Sequence, residues 1–200
     1  MKNYIEKGLS FDDYISLVDE VVAADKTTGP NQSAELAEYT KLNQHRMERL
    51  EKTVKLNASL AETVRKLKVN WIWLILTEAW CGDAAQNIPP IEKIARENDR
   101  IQTLYLLRDE NLELMDKYLT NGGRAIPKLI CLDAQALTEI GTWGSRPAAA
   151  DDYFKELKAQ GLEKPAIIEK IIRWYNEDKT QSLQHEFEKI VTEWAEKSNS

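Results

Sequence analysis

The sequence has no long apolar run, little cysteine and no excess of positive charge. Its longest uninterrupted apolar stretch, Trp71 to Leu76, has six residues, whereas a membrane-spanning helix needs about 20. The formal net charge is −6, so the chain lacks the basic field that supplies most of the affinity for nucleic acids. We therefore expect neither a membrane nor a nucleic acid as a partner.

The amino-terminal segment, MKNYIEKGLSFDDY, also lacks the basic start, apolar middle and cleavage site of a secretory signal, which favours a cytoplasmic location. The chain has two cysteines, Cys81 and Cys131, and cytoplasmic thiols are normally kept reduced. A structural disulfide is therefore not expected. His45 and His185 have no neighbouring ligand residues at metal-binding spacing, so we expect no metal and no cofactor.

Glycine and proline are missing between Asn31 and Cys81, and this absence predicts a helical first third. Ser10 and Asp13 have the spacing of a capping box, and apolar residues follow at helical intervals. A second helical run is expected to start near Ser33 and to continue or re-form through Leu67. We divide the chain into a helical extension, residues 1–68, and a second unit, residues 69–200. The apolar stripe of the extension either packs on its own chain or forms a homodimer.

Short apolar segments replace the helical pattern after residue 70. Four of them are bounded by polar residues, glycine or proline, as buried strands are: Trp71–Thr77, Ile101–Leu107, Leu129–Asp133 and Leu137–Thr142. Helical spacing returns after Cys81 and again from Leu112 to Leu119. Strands that alternate with helices favour parallel pairing, whereas the tight link before the last strand favours an antiparallel hairpin. The expected fold class is thus α/β, with a mixed four-stranded sheet in the order β-α-β-α-β-β-α, and helical segments continue after Pro165.

The segment WCGDAAQNIP, which follows a strand and opens a helix, resembles the active site of the bacterial thioredoxin family, W-C-G-P-C. Pro89 matches the family's helix-kinking proline, and Pro127, in RAIPKLI, matches its cis-proline. The resemblance covers roughly Trp71 to Tyr153 and implies a thioredoxin-like fold. It also implies that Cys81 is the catalytic residue.

The sequence departs from the family pattern at three positions. Ala84 replaces the second cysteine, Asp83 replaces the proline, and Ile75 stands where the family keeps a buried aspartate. A thiol that lacks a resolving partner can form a mixed disulfide but needs an external thiol to release it. Cys131 is expected inside a strand, too far from Cys81 to resolve it, and is interpreted as a small buried hydrophobe.

The surroundings of Cys81 determine its reactivity. The start of a helix lowers the pKa of a thiol, but a neighbouring carboxylate such as Asp83 raises it. We expect Arg124 to offset this repulsion by folding over the site, and Arg146 to line a binding groove. The other expected active-site neighbours are Trp80, Gly82, Ala84, Ile126, Pro127 and Trp143.

Three functions are compatible with this pattern. The first is a monothiol redox protein in which Cys81 reacts with protein or low-molecular-weight thiols and disulfides. The second is a non-catalytic module that binds or scaffolds a partner through the surface around Pro127 and Trp143. The third is an iron–sulfur cluster held between paired monothiol subunits, as in some glutaredoxins. It is disfavoured because the glutathione-binding signature of those proteins is missing.

Overall fold

The computed structural model describes residues 1–198. Its first third is helical, and the capping box predicted at Ser10 is present: the Asp13 N–H donates to Ser10 Oγ (3.1 Å) and the Ser10 N–H donates to the Asp13 carboxylate (3.4 Å). Ser33 caps the second long helix, which ends at Thr53, and the helix then re-forms. The four helices are α1 (Lys2–Ile5), α2 (Phe11–Ala23), α3 (Ala34–Thr53) and α4 (Ala58–Lys66).

The sheet has four strands in the spatial order β2-β1-β3-β4. The strands are β1 (Trp71–Thr77), β2 (Ile101–Leu107), β3 (Lys128–Asp133) and β4 (Glu139–Gly144). The pairing of β1 with β2 is parallel, and the pairing of β3 with β4 is the expected antiparallel hairpin, with β4 placed two residues later than predicted. The predicted mixed four-stranded sheet is confirmed.

The third strand runs against the expectation of parallel pairing, because β3 is antiparallel to β1. The link from β2 to β3 contains only a 3₁₀ turn and a one-turn helix, α6 (Leu112–Met115), instead of the helix predicted over Leu112–Leu119. A long crossover helix, which a parallel connection usually needs, is therefore not formed. Lys128 at the start of β3 pairs with Leu76 near the end of β1, so the chain enters β3 at the end of the sheet where Cys81 lies.

The remaining helices are α5 (Gly82–Ala95), α7 (Ala148–Ala159), α8 (Lys164–Asp178) and α9 (Gln181–Ser198). The last two are separate helices, because Lys179 and Thr180 have positive φ angles of 50° and 67° and end the helical geometry of α8. Among the described residues, no helix is long and apolar enough to cross a bilayer.

The helices of both ends of the chain pack into one hydrophobic core with the sheet. Trp71 and Trp73 of β1 meet Trp194 of α9 edge-on, and Tyr14 of α2 stacks on Tyr105 of β2 with a centroid distance of 5.3 Å. Aromatic pairs of this kind add stability beyond the burial of their area. The extension thus packs on its own chain, and a homodimer through these helices stays a prediction.

A second, smaller apolar cluster lies between α7 and α8, and includes Leu157, Ile167 and Ile171. We call these two helices the α7–α8 hairpin. The hairpin has its own apolar contacts and is joined to the residues around Cys81 by polar side chains, which are described below.

Gly144 at the end of β4 holds the backbone close to Pro127. Its φ is +125°, and a Cβ atom at this position would lie 2.2 Å from the Pro127 carbonyl oxygen. Only glycine fits here without moving the backbone beside the site.

We predict that Gly144→Ala lowers the free energy of unfolding by about 2–4 kcal/mol, because the added methyl group meets both a forbidden φ and a fixed carbonyl. Chemical denaturation followed by circular dichroism measures the change.

The matched control is Gly122→Ala. Gly122 also has a positive φ (+75°), but no atom lies within 4 Å of its added Cβ, so the expected loss is only about 1 kcal/mol. Equal losses in the two variants would show that contact with Pro127 contributes nothing.

Candidate functional site

Cys81 lies at the junction between β1 and α5 and is the N-cap residue of α5. Its Sγ accepts the Ala84 N–H (3.5 Å) and donates to the Ile126 carbonyl oxygen (3.3 Å). The Ile126–Pro127 peptide bond is cis. The residue is 8% exposed, so the thiol is nearly enclosed and is hydrogen-bonded as a protonated donor to the backbone next to Pro127.

The surroundings of this thiol disfavour the thiolate. Burial, which is the largest cause, and the nearby Asp83 carboxylate raise the pKa of Cys81 to about 12, although the N–H groups of Ala84 and Asp83 and the Arg146 guanidinium partly oppose them. Burial and Asp83 outweigh the start of the helix, which on its own would favour an anion. The thiol is therefore protonated at neutral pH in this structure.

Asp83 is the centre of a polar network that joins α5 to the α7–α8 hairpin. Arg146, just before α7, forms an ion pair with Asp83 (Nη2 to Oδ2, 2.6 Å). From α8, the Tyr175 hydroxyl donates to Asp83 Oδ1 (3.0 Å). Asn87 donates to both the Asp83 carbonyl oxygen (2.8 Å) and the Tyr175 hydroxyl (3.0 Å). Although burial opposes the charge on Arg146, the Asp83 carboxylate outweighs it and raises the pKa of the guanidinium.

A cleft of about 750 Å³ lies between α3, the start of α5 and the α7–α8 hairpin. Cys81, Gly82 and Asp83 form part of its wall, together with Trp80 and Arg146. Clefts of this volume are typical of small-molecule sites. Cys131 is fully buried in β3 and does not line the cleft.

The structure brings most of the expected site residues together. Trp80 lines the cleft and its ring lies under the Arg108 guanidinium (4.8 Å). Ala84 is buried and contributes its N–H to the sulfur, and Ile126 contributes its carbonyl oxygen. The position of Arg146 beside Cys81 agrees with its expected place in a groove.

Two expected neighbours have other roles. Arg124 is exposed and pairs with Asp116 (2.6 Å), so the prediction that it offsets Asp83 is wrong, and Arg146 has that role instead. Trp143 is buried, packs against Phe187 (5.4 Å) and donates its Nε1–H to Glu186 (2.9 Å). It is a core residue and does not line the cleft.

Glu78 is a buried acid that the sequence analysis did not identify. Its carboxylate accepts hydrogen bonds from the Thr28 hydroxyl and from the Asp109 N–H (2.8 Å), and burial raises its pKa. Thr28 in turn accepts the Ala79 N–H (2.9 Å). Glu78 thus holds the loops next to the site. Ile75, at the position where the thioredoxin pattern has a buried aspartate, is fully buried.

Sequence reasoning also missed Arg46, Asn87 and Tyr175. Both Arg46 and Tyr175 are far from Cys81 along the chain. The packing of α3 brings Arg46 into the wall of the cleft, and the packing of α8 brings Tyr175 to Asp83, which no local pattern predicts. Asn87 offered a weak signal, because a polar residue one turn after Asp83 faces the same side of a helix.

Comparison with known proteins agrees with this architecture. A comparison with curated proteins gives no match. Two solved structures are similar, both with a TM-score of 0.55. An HIV epitope scaffold is 18% identical, over 76% of this chain and 80% of its own. A protein of unknown function from Pseudomonas aeruginosa is 17% identical, over 86% of this chain and 93% of its own. At these identities the likeness concerns the fold alone.

A family model described as thioredoxin matches residues 29–158. The match includes β1, Cys81, the cis-proline and all four strands. The chain therefore belongs to the thioredoxin family.

Proposed function

We propose that the protein is a monothiol redox protein, in which Cys81 forms mixed disulfides that an external thiol resolves. The observation that carries the proposal is the position of Cys81, at the start of α5, beside the cis-proline backbone and in the wall of a cleft large enough for a substrate. A substrate that enters the cleft contacts the wall to which Cys81 belongs.

The chemistry needs no second sulfur in the chain. The Cys81 thiolate attacks one sulfur of a disulfide, a mixed disulfide forms, and the other sulfur leaves as a thiolate. An external thiolate then attacks the sulfur of the bound group, which releases Cys81 as a thiolate and yields a new disulfide. Cys131, fully buried in β3, cannot take this step.

The pKa of about 12 means that only a very small fraction of Cys81 is ionised at neutral pH while the sulfur is buried. Because burial is the largest cause of the raised pKa, hydration of the sulfur is the most effective way to lower the pKa and activate the thiol. The α7–α8 hairpin meets α5 through the Asp83 network, so displacement of the hairpin by a partner would admit water to the thiol.

The second candidate function is a binding module without redox activity. It is favoured by the same protonated thiol, which donates a hydrogen bond to Ile126 and so has a structural role of its own. The two functions differ in whether native Cys81 exchanges with disulfides.

We predict that Cys81 alkylates slowly and that its rate rises about tenfold per pH unit up to at least pH 10. At pH 8 a thiol with a pKa near 12 is ionised to the order of 10⁻⁴, and its higher nucleophilicity offsets only part of this deficit. The rate should be on the order of 100-fold below that of a free cysteine. Iodoacetamide labelling followed by mass spectrometry measures this rate. A rate that reaches a plateau between pH 6 and 8 would contradict a raised pKa of the buried thiol.

We predict that Asp83→Asn speeds alkylation of Cys81 at pH 8 severalfold, because it removes a charge that raises the thiol pKa and frees Arg146 to face the sulfur. Asp152→Asn makes the same charge change at an exposed position of α7 and should leave the rate unchanged. Tyr175→Phe, which keeps the Asp83 charge, should have a smaller effect than Asp83→Asn. Equal rates in wild type and Asp83→Asn would mean that burial alone sets the pKa.

We predict that Ala84→Cys introduces dithiol disulfide reductase activity that the native protein lacks. Residue 84 lies one helical turn from Cys81, and its N–H already contacts the sulfur, so a thiol there can attack the mixed disulfide. The gain should be partial, since Ile75 supplies no proton-transfer group. Insulin reduction with a chemical reductant is the assay.

Ala95→Cys is the matched control, because Ala95 is also buried in α5, at 2% exposure, but lies at the opposite end of the helix from Cys81. It should stay inactive. Equal turnover in the native protein and Ala84→Cys would show that the missing thiol does not limit this site.

A further inference from the structure

We propose that the cleft selects a small amphipathic anion, with an apolar body held between α3 and α8 and an anionic group bound by Arg46. This names the substrate class of the proposed monothiol site, and its covalent part rests on that proposed function. The non-covalent part stands on the cleft itself.

The two long walls of the cleft are apolar. Leu36 on α3 and Ile168 and Ile172 on α8 line it, and each is only partly buried. Phe154 and Pro165 extend the apolar surface along the α7–α8 hairpin. Removing this surface from water favours a ligand with a hydrocarbon or aromatic body.

The charged residues of the cleft have the opposite sign to the chain as a whole. Four basic side chains line it, Arg46, Arg146, Lys158 and Lys164, against two acidic ones, Glu35 and Asp83. Asp83 is already paired with Arg146, so the remaining charge is positive in a protein whose formal net charge is −6. A local field of this sign attracts an anion.

Arg46 is the best placed of these cations. It is half-buried, and its Nη1 donates to Asn43 Oδ1 (2.8 Å), but within residues 1–198 no carboxylate lies at ion-pair distance from it. Burial and the neighbouring Arg49 lower its pKa. Nη1 is 3.9 Å from the position of a Cβ on Gly82, so this uncompensated charge lies beside Cys81. An anion bound here offsets the free-energy cost of burying the Arg46 charge.

Isothermal titration calorimetry with two ligands of one chain length, used below their micelle concentrations, tests the proposal. Decanoate should bind the full-length protein at least tenfold more tightly than decyltrimethylammonium, although the net charge of the protein favours the cation. Equal binding of the two, or tighter binding of the cation, would overturn the proposal.

Arg46→Gln should weaken decanoate binding by about tenfold, the effect of losing one charged hydrogen bond. Arg49→Gln is the control: Arg49 lies one turn further along α3, contacts Asn176 (2.9 Å) and is outside the cleft, so affinity should be unchanged. If Arg46→Gln unfolds the protein, Ile172→Glu places a negative charge in the apolar wall and should weaken decanoate binding in the same way. Unchanged affinity in the folded cleft variant, or equal losses in the Arg46 and Arg49 variants, would contradict the assigned role.

Anion binding in the cleft and disulfide exchange at Cys81 are tested by separate measurements. Calorimetry needs no sulfur chemistry, so loss of head-group selectivity overturns this inference even if Cys81 forms mixed disulfides with every disulfide tested. Conversely, a Cys81 that never exchanges overturns the proposed function and leaves the decanoate result as it stands.

Discussion

The site depends on the burial of β1 at the centre of the sheet. All seven residues of this strand are buried, and they pair on one side with β2 and on the other with β3. The chain that leaves β1 can therefore start α5 at only one place, which fixes Cys81 at the end of the sheet. Since β3 begins at that same end, the Ile126 carbonyl and Pro127 lie next to the sulfur, although they are far from Cys81 in the sequence. The pairing of the central strands thus determines the positions of Cys81 and Pro127.

The Asp83–Arg146 pair then decides what the site can do. A partly buried ion pair contributes little net stability, because desolvation offsets most of the attraction, but it fixes the geometry of the groups that it joins. Here it holds α5 against the segment that leads into α7, while Tyr175 and Asn87 satisfy the remaining oxygens. Together with burial, which is the larger cause, the same carboxylate keeps the neighbouring thiol protonated. One residue, Asp83, both joins α5 to the α7–α8 hairpin and lowers the reactivity of the neighbouring sulfur.

Local sequence patterns predicted the elements, and long-range packing explains what they missed. Short apolar runs identified β1 and β2, and a capping box identified the start of α2, because these signals depend on neighbouring residues. The orientation of β3 and the single turn of α6 depend on how a loop returns to the sheet, which no periodicity shows. The partner of Asp83 could not be predicted for the same reason. Both Arg124 and Arg146 belong to loops that were expected beside the site. Only the fold shows that Arg124 pairs with Asp116 and that Arg146 pairs with Asp83.

The proposed function requires that one thiol, Cys81, forms a mixed disulfide that an outside thiol resolves. The most direct measurement is intact-mass and peptide-level mass spectrometry of the protein after prolonged incubation with hydroxyethyl disulfide, followed by addition of 2-mercaptoethanol. We expect a single adduct at Cys81 and complete return to the free thiol after the second step. A protein that forms no adduct at Cys81, or that oxidises to an internal disulfide between Cys81 and Cys131, would contradict it.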